Sequence, residues 1–179
     1  ASSRLLFQQV PLDLVRGGLA QDVVAGRDQP ATALSAMDGY AIHFADMPGP
    51  WTIAGEVAAG TAPAHALGPG EAIRIFTGAV LPDNADTVVV QEDVTADGAR
   101  LTLTGDGPAS RGRHVRARAS DFAAGAPLLK AGCRLAPGAL AAAIMGGAGD
   151  LIVGGRPRVA ILTTGDELVA PGRALAPGQ

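Results

Sequence analysis

The stretch Leu34-Ser35-Ala36-Met37-Asp38-Gly39-Tyr40-Ala41-Ile42 decides how this chain is read. Asp38-Gly39 signals a turn: aspartate bonds local backbone groups, and glycine supplies dihedrals that other residues resist. The residues after it continue as an extended segment, so a carboxylate sits at a bend. Ser35, Asp38 and Gly39 thus bring a hydroxyl, a carboxylate and a flexible backbone within six residues, a grouping able to hold a hard cation or orient a polar ligand. An ordinary turn in which Asp38 bonds its own backbone is the competing reading.

Working outward, short apolar runs follow at strand spacing: Trp51-Thr52-Ile53, Glu56-Val57, Ala72 to Phe76 and Thr87 to Val90, separated by Gly- and Pro-containing turns. Asp97-Gly98 lies between the run ending at Val94 and the alternating Leu101-Thr102-Leu103-Thr104, the pattern of a hairpin. Further on, a helix is predicted from about Pro137 to Met145, ended by Gly146-Gly147, then a short strand over Leu151 to Val153. Arg158 to Thr163 reads as a buried strand opening an α/β domain. Upstream, Leu12, Val15, Leu19 and Val23 recur at steps of three and four and predict a first helix over Pro11 to Val24.

Composition bounds the function. At 179 residues and 47% hydrophobic content the chain can bury a core, and with 3% aromatics, 25 glycines and 13 prolines that core is built from Val, Leu, Ile and Ala between frequent turns. A net charge of −3 favours neither nucleic acid nor an anionic membrane as partner. No run of about 18 apolar residues exists, and the first residues lack a signal peptide's segments. Cys133, the single cysteine, excludes an intrachain disulfide and fits a cytoplasmic setting. The histidines lack metal-ligand spacing, and no GxGxxG, Walker A, GxSxG or HExxH pattern is present.

Four further groupings carry chemistry, each with a plainer alternative. Ile75-Phe76-Thr77-Gly78-Ala79 ends a strand at a Thr-Gly corner whose N–H groups and hydroxyl can approach an oxyanion, or is simply a strand-ending turn. Arg111, Arg113, His114, Arg116 and Arg118 crowd one segment; if extended, it presents an anion-attracting face of His114, Arg116 and Arg118, or else a solvated edge that deters pairing. Asp121 follows closely, either binding a bridging metal ion beside a held anion or pairing with an arginine. Asp166 and Glu167 stand after the Arg158 strand, where α/β sheets bind ligands, or are helix N-terminal acids.

Taken in order, Ser35-Ala36-Met37-Asp38-Gly39-Tyr40-Ala41, Arg74-Ile75-Phe76-Thr77-Gly78-Ala79, Val88-Val89-Val90-Gln91-Glu92-Asp93 and Thr164-Gly165-Asp166-Glu167-Leu168 resemble the molybdopterin molybdenumtransferase family. Arg116, Asp121 and the Gly125, Leu128, Gly132, Leu135 spacing extend the resemblance over nearly the whole chain. One departure is Ala119, where the family commonly has glycine; a methyl there restricts the backbone presenting Asp121.

The resemblance implies insertion of molybdate into adenylylated molybdopterin, with release of AMP and use of a divalent cation such as Mg²⁺. It makes Asp38, Asp121 and Glu167 the acidic catalytic residues, with Asp38 and Asp121 at the metal. Ser35, Thr77, Gly78, Arg116 and Asp166 become substrate contacts. It implies a homodimer, with the molybdopterin adenylyltransferase as a possible partner. The fold it implies is mixed α and β: a discontinuous α/β first domain (1–40 and 119–156), an inserted β-rich domain (41–118), and the first strand of a truncated α/β domain (157–179). An incomplete and inactive fragment is the expectation for the chain as it stands; a gephyrin-like scaffold module and a purely structural dimerisation fragment are the alternatives.

Overall fold

The computed structural model describes residues 7–11, 18–155, 160, 164–165 and 167–178. Its strands are β1 (Phe7–Pro11), β2 (Val23–Val24), β3 (Leu34–Ser35), β4 (Gly39–Ile42), β5 (Trp51–Val57), β6 (Glu71–Ile75), β7 (Thr87–Val90), β8 (Val94–Asp97), β9 (Arg100–Leu103), β10 (Val115–Arg116), β11 (Pro127–Leu129) and β12 (Asp150–Gly154). One α-helix is described, α1 (Pro137–Met145). The described fold is therefore mostly β, and the expected mixture of α and β is met only loosely.

Six strands form the main sheet in the order β7-β4-β6-β5-β9-β8. All neighbours are antiparallel except β5 and β6. Alternation along its strands divides the buried side chains between two clusters: Ala41, Ile73, Ile75 and Val88 in one, Ile42, Ala72, Val89 and Leu101 in the other. Successive residues such as Ala41 and Ile42 thus enter different clusters, which makes the sheet apolar on both faces. Trp51, 2% exposed, joins the second cluster. The expected runs Trp51-Thr52-Ile53 and Glu56-Val57 are one strand here, joined across a register shift between Ile53 and Gly55.

A separate cluster of Leu19, Val23, Ala143, Leu151 and Val153 lies under α1 and the β1–β12 and β2–β11 pairs. The predicted helix α1 begins with proline in its first turn, where the missing N–H costs nothing. At its other end Arg27 donates from Nε to the Met145 carbonyl at 2.8 Å and from Nη2 to that of Ile144 at 3.0 Å, satisfying carbonyls that the helix leaves open.

The helix expected over Pro11 to Val24 is corrected where it can be seen. Residues 12–17 lie outside the described residues, but Gly18 and Leu19 bridge Arg134 and Val153, and Val23 opens β2. The cause is competition for backbone groups. Leu19 N–H donates to the Cys133 carbonyl at 2.9 Å and Ala20 N–H to that of Ile152 at 2.8 Å, so the chain is drawn out against distant neighbours rather than coiled on itself. The expected strand over Arg158 to Thr163 falls outside the described residues apart from Ala160, which is not in a strand. Among the described residues no helix is long and apolar enough to cross a membrane.

Candidate active site

The sheet register builds the acid-bearing bend. Gly39 of β4 stands opposite Ile75 of β6 in an antiparallel pair, so the residue just before β4 is brought to the segment just after β6. Asp38 Oδ1 there accepts from the Thr77 backbone N–H at 2.7 Å and from the Thr77 hydroxyl at 2.8 Å. These bonds, the backbone one first, with Arg74 nearby, hold the Asp38 carboxyl below the ordinary carboxylate value against the opposing effect of desolvation. Among the described residues Asp38 Oδ2 has no hydrogen-bond partner, so the carboxylate is anchored by one oxygen and keeps the other.

Ser35 organises the bend from inside. It is 2% exposed; its hydroxyl donates to the Met37 carbonyl at 2.6 Å, and its own carbonyl accepts from Gly78 N–H at 2.8 Å. Gly78 and Thr77 are both exposed. The structure therefore brings Ser35, Asp38, Thr77 and Gly78 together at one corner.

Arg116 and Asp121 form a second locus, joined to each other as an ion pair. Arg116 is tied to the bend by backbone, since β10 pairs with β3 with Arg116 opposite Leu34. The expected extended face of His114, Arg116 and Arg118 is corrected: β10 covers only Val115–Arg116, and His114 has a φ of +60°. Nor is the basic run free, because Arg111, Arg116 and Arg118 pair with Asp86, Asp121 and Asp28. An arginine already neutralised by a carboxylate attracts an anion only by giving up that partner. Burial, with Arg113 nearby, pushes the His114 imidazole below its ordinary value, against a smaller opposing pull from Asp93.

Glu167 is exposed in a turn closed by Leu168 N–H to the Gly165 carbonyl at 3.1 Å, and among the described residues it makes no hydrogen bond or ion pair. Asp166 lies outside the described residues. No group of three or more His, Cys, Asp or Glu side chains able to hold a metal ion occurs among the described residues. For Mg²⁺ that is compatible: the ion is commonly held by one or two carboxylates plus phosphate oxygens and water, and Asp38 Oδ2 is a hard oxygen of the right kind.

Asp86 is a residue that sequence reasoning missed. Its Oδ1 accepts from Phe44 N–H at 2.8 Å and from the Thr87 hydroxyl at 2.9 Å; its Oδ2 lies 2.7 Å from Arg111 Nε and 3.7 Å from His43 Nε2. Oδ2 is buried and its approach to Arg111 is an ion pair without hydrogen-bond alignment. Asp86 lines a cavity of about 430 Å³ with His43, Asp46, Asn84 and Arg111. Its partners are up to 43 residues away, so no local motif marks it.

This arrangement has close counterparts. The crystal structure of the molybdopterin biosynthesis MoeA protein from Pyrococcus horikosii superposes with a TM-score of 0.87 at 35% identity, covering 97% of this chain and 46% of that one. A second from Pyrococcus horikoshii OT3 gives 0.84 at 29% identity. The fold is thus the one shared by these MoeA proteins.

The family follows from the sequence comparison. Residues 3–147 match the MoeA N-terminal region (domain I and II), and the chain belongs to that family. It is 40% identical over 169 residues to a molybdopterin molybdenumtransferase of Nostoc sp., and 37% identical over 178 residues to molybdopterin molybdenumtransferase 2 of Mycobacterium tuberculosis. It covers 90% and 95% of its own length in these matches but only 38% and 44% of theirs, so it spans less than half of those relatives.

Proposed function

We propose that the chain acts in molybdenum cofactor biosynthesis as the domain I and II region of a molybdopterin molybdenumtransferase. In that reaction adenylylated molybdopterin is cleaved at its phosphoanhydride, AMP leaves, and molybdate delivers molybdenum to the pterin dithiolene. The observation carrying this reading is the Asp38 carboxylate, anchored through Oδ1 by both donors of Thr77 while Oδ2 stays open. A bare carboxylate repels molybdate and phosphate alike, whereas one that binds Mg²⁺ attracts both. Mg²⁺ would neutralise the charge that develops on the leaving phosphate.

Asp38 is accordingly the first metal ligand and catalytic acid-bearing position, with Asp121 as the second, freed when the anion takes over Arg116. Thr77 and Gly78 line the substrate, Ser35 fixes the corner beneath it, and Asp166 and Glu167 approach from the third domain of a partner copy. Homodimer formation is supported by apolar side chains left in solvent on β2 and at the end of α1: Val24, Ile144 and Met145 are 58%, 51% and 37% exposed. The discontinuous first domain of 1–40 and 119–156, interrupted by 41–118 and followed by a third domain from 157, is supported by the separate cluster of Leu19, Val23, Ala143, Leu151 and Val153. The adenylyltransferase that makes the substrate is the natural donor partner.

The test is AMP release from adenylylated molybdopterin, with molybdate and Mg²⁺, by this region extended through a complete third domain, because the chain as it stands is expected to be inactive. Asp38→Asn keeps the shape but removes the negative charge and so weakens the hold on the cation, and is expected to slow AMP release about 100-fold or more. An Asp38→Asn protein as fast as wild type would exclude this reading.

A further inference from the structure

Arg74 is the second-to-last residue of β6, directly across from Tyr40 of β4 and two residues before Phe76. Its guanidinium carbon lies 5.2 Å from the centroid of the Tyr40 ring and 5.0 Å from that of Phe76. A planar cation held against two aromatic rings has few rotamers left, because stacking and cation–π attraction both favour one orientation of the plane. From that orientation Nη1 donates to the Gly39 carbonyl at 3.0 Å and Nη2 to Gln91 Oε1 at 2.6 Å. Gln91 in turn donates its backbone N–H to the Asp38 carbonyl at 3.1 Å.

Consecutive carbonyls of the bend, Asp38 and Gly39, are thereby tied to a single side chain, one through Gln91 and one directly. The opposite flank of the bend has no room to move, since Gly39 packs against the Val89 carbonyl of β7 so closely that a Cβ would lie 2.0 Å from its oxygen. With the backbone fixed from both sides, the direction of the Asp38 side chain is set before it meets Thr77.

We propose that Arg74 is a positioning residue for Asp38: clamped between Tyr40 and Phe76, its guanidinium fork fixes the backbone of the bend so that the carboxylate lies on Thr77 with one oxygen turned outward. It touches no substrate in this role and acts through Gly39 and Gln91. Lysine cannot replace it, because a point charge lacks both the plane that stacks and the fork that spans two acceptors. The inference rests on the transferase reading for its catalytic meaning, but the geometry is testable without any substrate.

The Thr77 amide proton is the local reporter, as it is the donor to Asp38 Oδ1. Hydrogen exchange and proton chemical shift at Thr77 are measured by NMR in wild type, Arg74→Lys and Arg74→Met, with the amides of Val88 and Val89 showing that the sheet is intact. Arg74→Lys keeps the charge and guards against a variant that fails to fold. In it we expect Thr77 exchange to accelerate about 10-fold or more, as for loss of a charge-assisted hydrogen bond, with its resonance moving upfield. Unchanged Thr77 exchange and shift in Arg74→Lys, with Val88 and Val89 protected, overturn the proposal. AMP release by the region extended through a complete third domain separates the two ideas: there Arg74→Lys is expected to lower kcat about 10-fold or more at constant KM. If Thr77 moves but neither Arg74→Lys nor Asp38→Asn alters AMP release, the positioning role stands and the transferase role of Asp38 falls.

Discussion

Thr77 gives both of its donors, backbone N–H at 2.7 Å and hydroxyl at 2.8 Å, to the same oxygen of Asp38. Two donors on one oxygen anchor a carboxylate without consuming it. The backbone donor is independent of residue type; the hydroxyl is not. Thr77→Val keeps the shape and the N–H but removes the hydroxyl, so the Asp38 carboxyl is expected to titrate at a higher pH than in wild type, nearer its ordinary value. A carboxyl-carbon NMR titration of both proteins checks this, and an identical Asp38 midpoint would show that the hydroxyl contributes nothing.

Stability is expected to fall with acid in two stages. Asp22, Asp28 and Asp38 have carboxyls held below the ordinary aspartate value, by Lys130, by Ala124 N–H and by Thr77 N–H respectively as the leading causes. At Asp86 burial pushes upward, but Phe44 N–H, the Thr87 hydroxyl and Arg111 outweigh it. For each of these acids the unfolded chain binds the proton first as pH drops, so their stabilisation is complete above about pH 4 to 5 and is lost as pH falls through the depressed folded values. His114 has the same sign by a different route. Burial lowers its folded value below 6.5, so its unfolded form takes up a proton first as pH drops below that point, and stability is highest above it. Urea midpoints measured at roughly pH 7.5, 5.5 and 3.5, which bracket the ordinary aspartate and histidine values, should decline in that order. A midpoint that rises on acidification contradicts the assignment.

Asp86 is the acid whose loss is expected to matter most for folding. It joins Phe44, Thr87 and Arg111, and its side chain is only 15% exposed. Asp86→Ala strands the Phe44 N–H and the Thr87 hydroxyl and releases Arg111, which should cost about 3 kcal/mol. Asp86→Asn keeps an acceptor for the first two and should cost less. Chemical denaturation of both variants checks the order; equal losses would assign the effect to charge alone.

Legibility in the sequence followed the range of the interactions. The Asp38 bend, the Asp97-Gly98 hairpin and α1 could be read because their determinants are local: turn residues, alternation, and Pro137 before a run of good helix formers. The apolar spacing of Leu19 and Val23 misled because a step of four fits a helix face, yet here these residues are buried by Ala143, Leu151 and Val153, more than 110 positions away. The arginine run misled for the same reason. Asp28 and Asp86, which neutralise Arg118 and Arg111, lie outside any window around them. The Thr77 corner has the donors to receive an oxyanion, and the oxyanion it receives within the chain is that of Asp38.

Ala119 offers a stabilising change. It holds a φ of +58°, a left-handed conformation costing an L-residue about 1 kcal/mol or more. Its N–H donates to the Pro30 carbonyl at 3.0 Å, a bond that glycine keeps. Ala119→Gly relieves the strain, while glycine's greater freedom in the unfolded chain returns about half of the gain. The net expectation is about 0.5 kcal/mol of added stability, a rise in Tm of about 1 to 2 °C. A lower Tm would mean that the turn before Asp121 is not strained.

Gly39 is expected to tolerate nothing larger. It lies between β6 and β7, opposite Ile75 on one side and Val90 on the other, and a Cβ would stand 2.0 Å from the Val89 carbonyl oxygen and 2.9 Å from its carbon. Those atoms are backbone of β7, the edge strand of the six-stranded sheet, so relief requires β4 and β7 to part where Val88 and Val89 are buried. Gly39→Ala should therefore cost about 3 kcal/mol or more. Gly98→Ala is the control: a Cβ there meets nothing within 4 Å, and only its φ of +57° opposes the change, at about 1 kcal/mol. Thermal melts of the two variants separate crowding from dihedral strain. Because Gly39 adjoins Asp38, the surviving folded Gly39→Ala protein should also lose the slow exchange of the Thr77 amide, whereas Gly98→Ala should keep it. Equal melting temperatures in the two variants would mean that β4 and β7 can separate without penalty and that the bend is not held from that side.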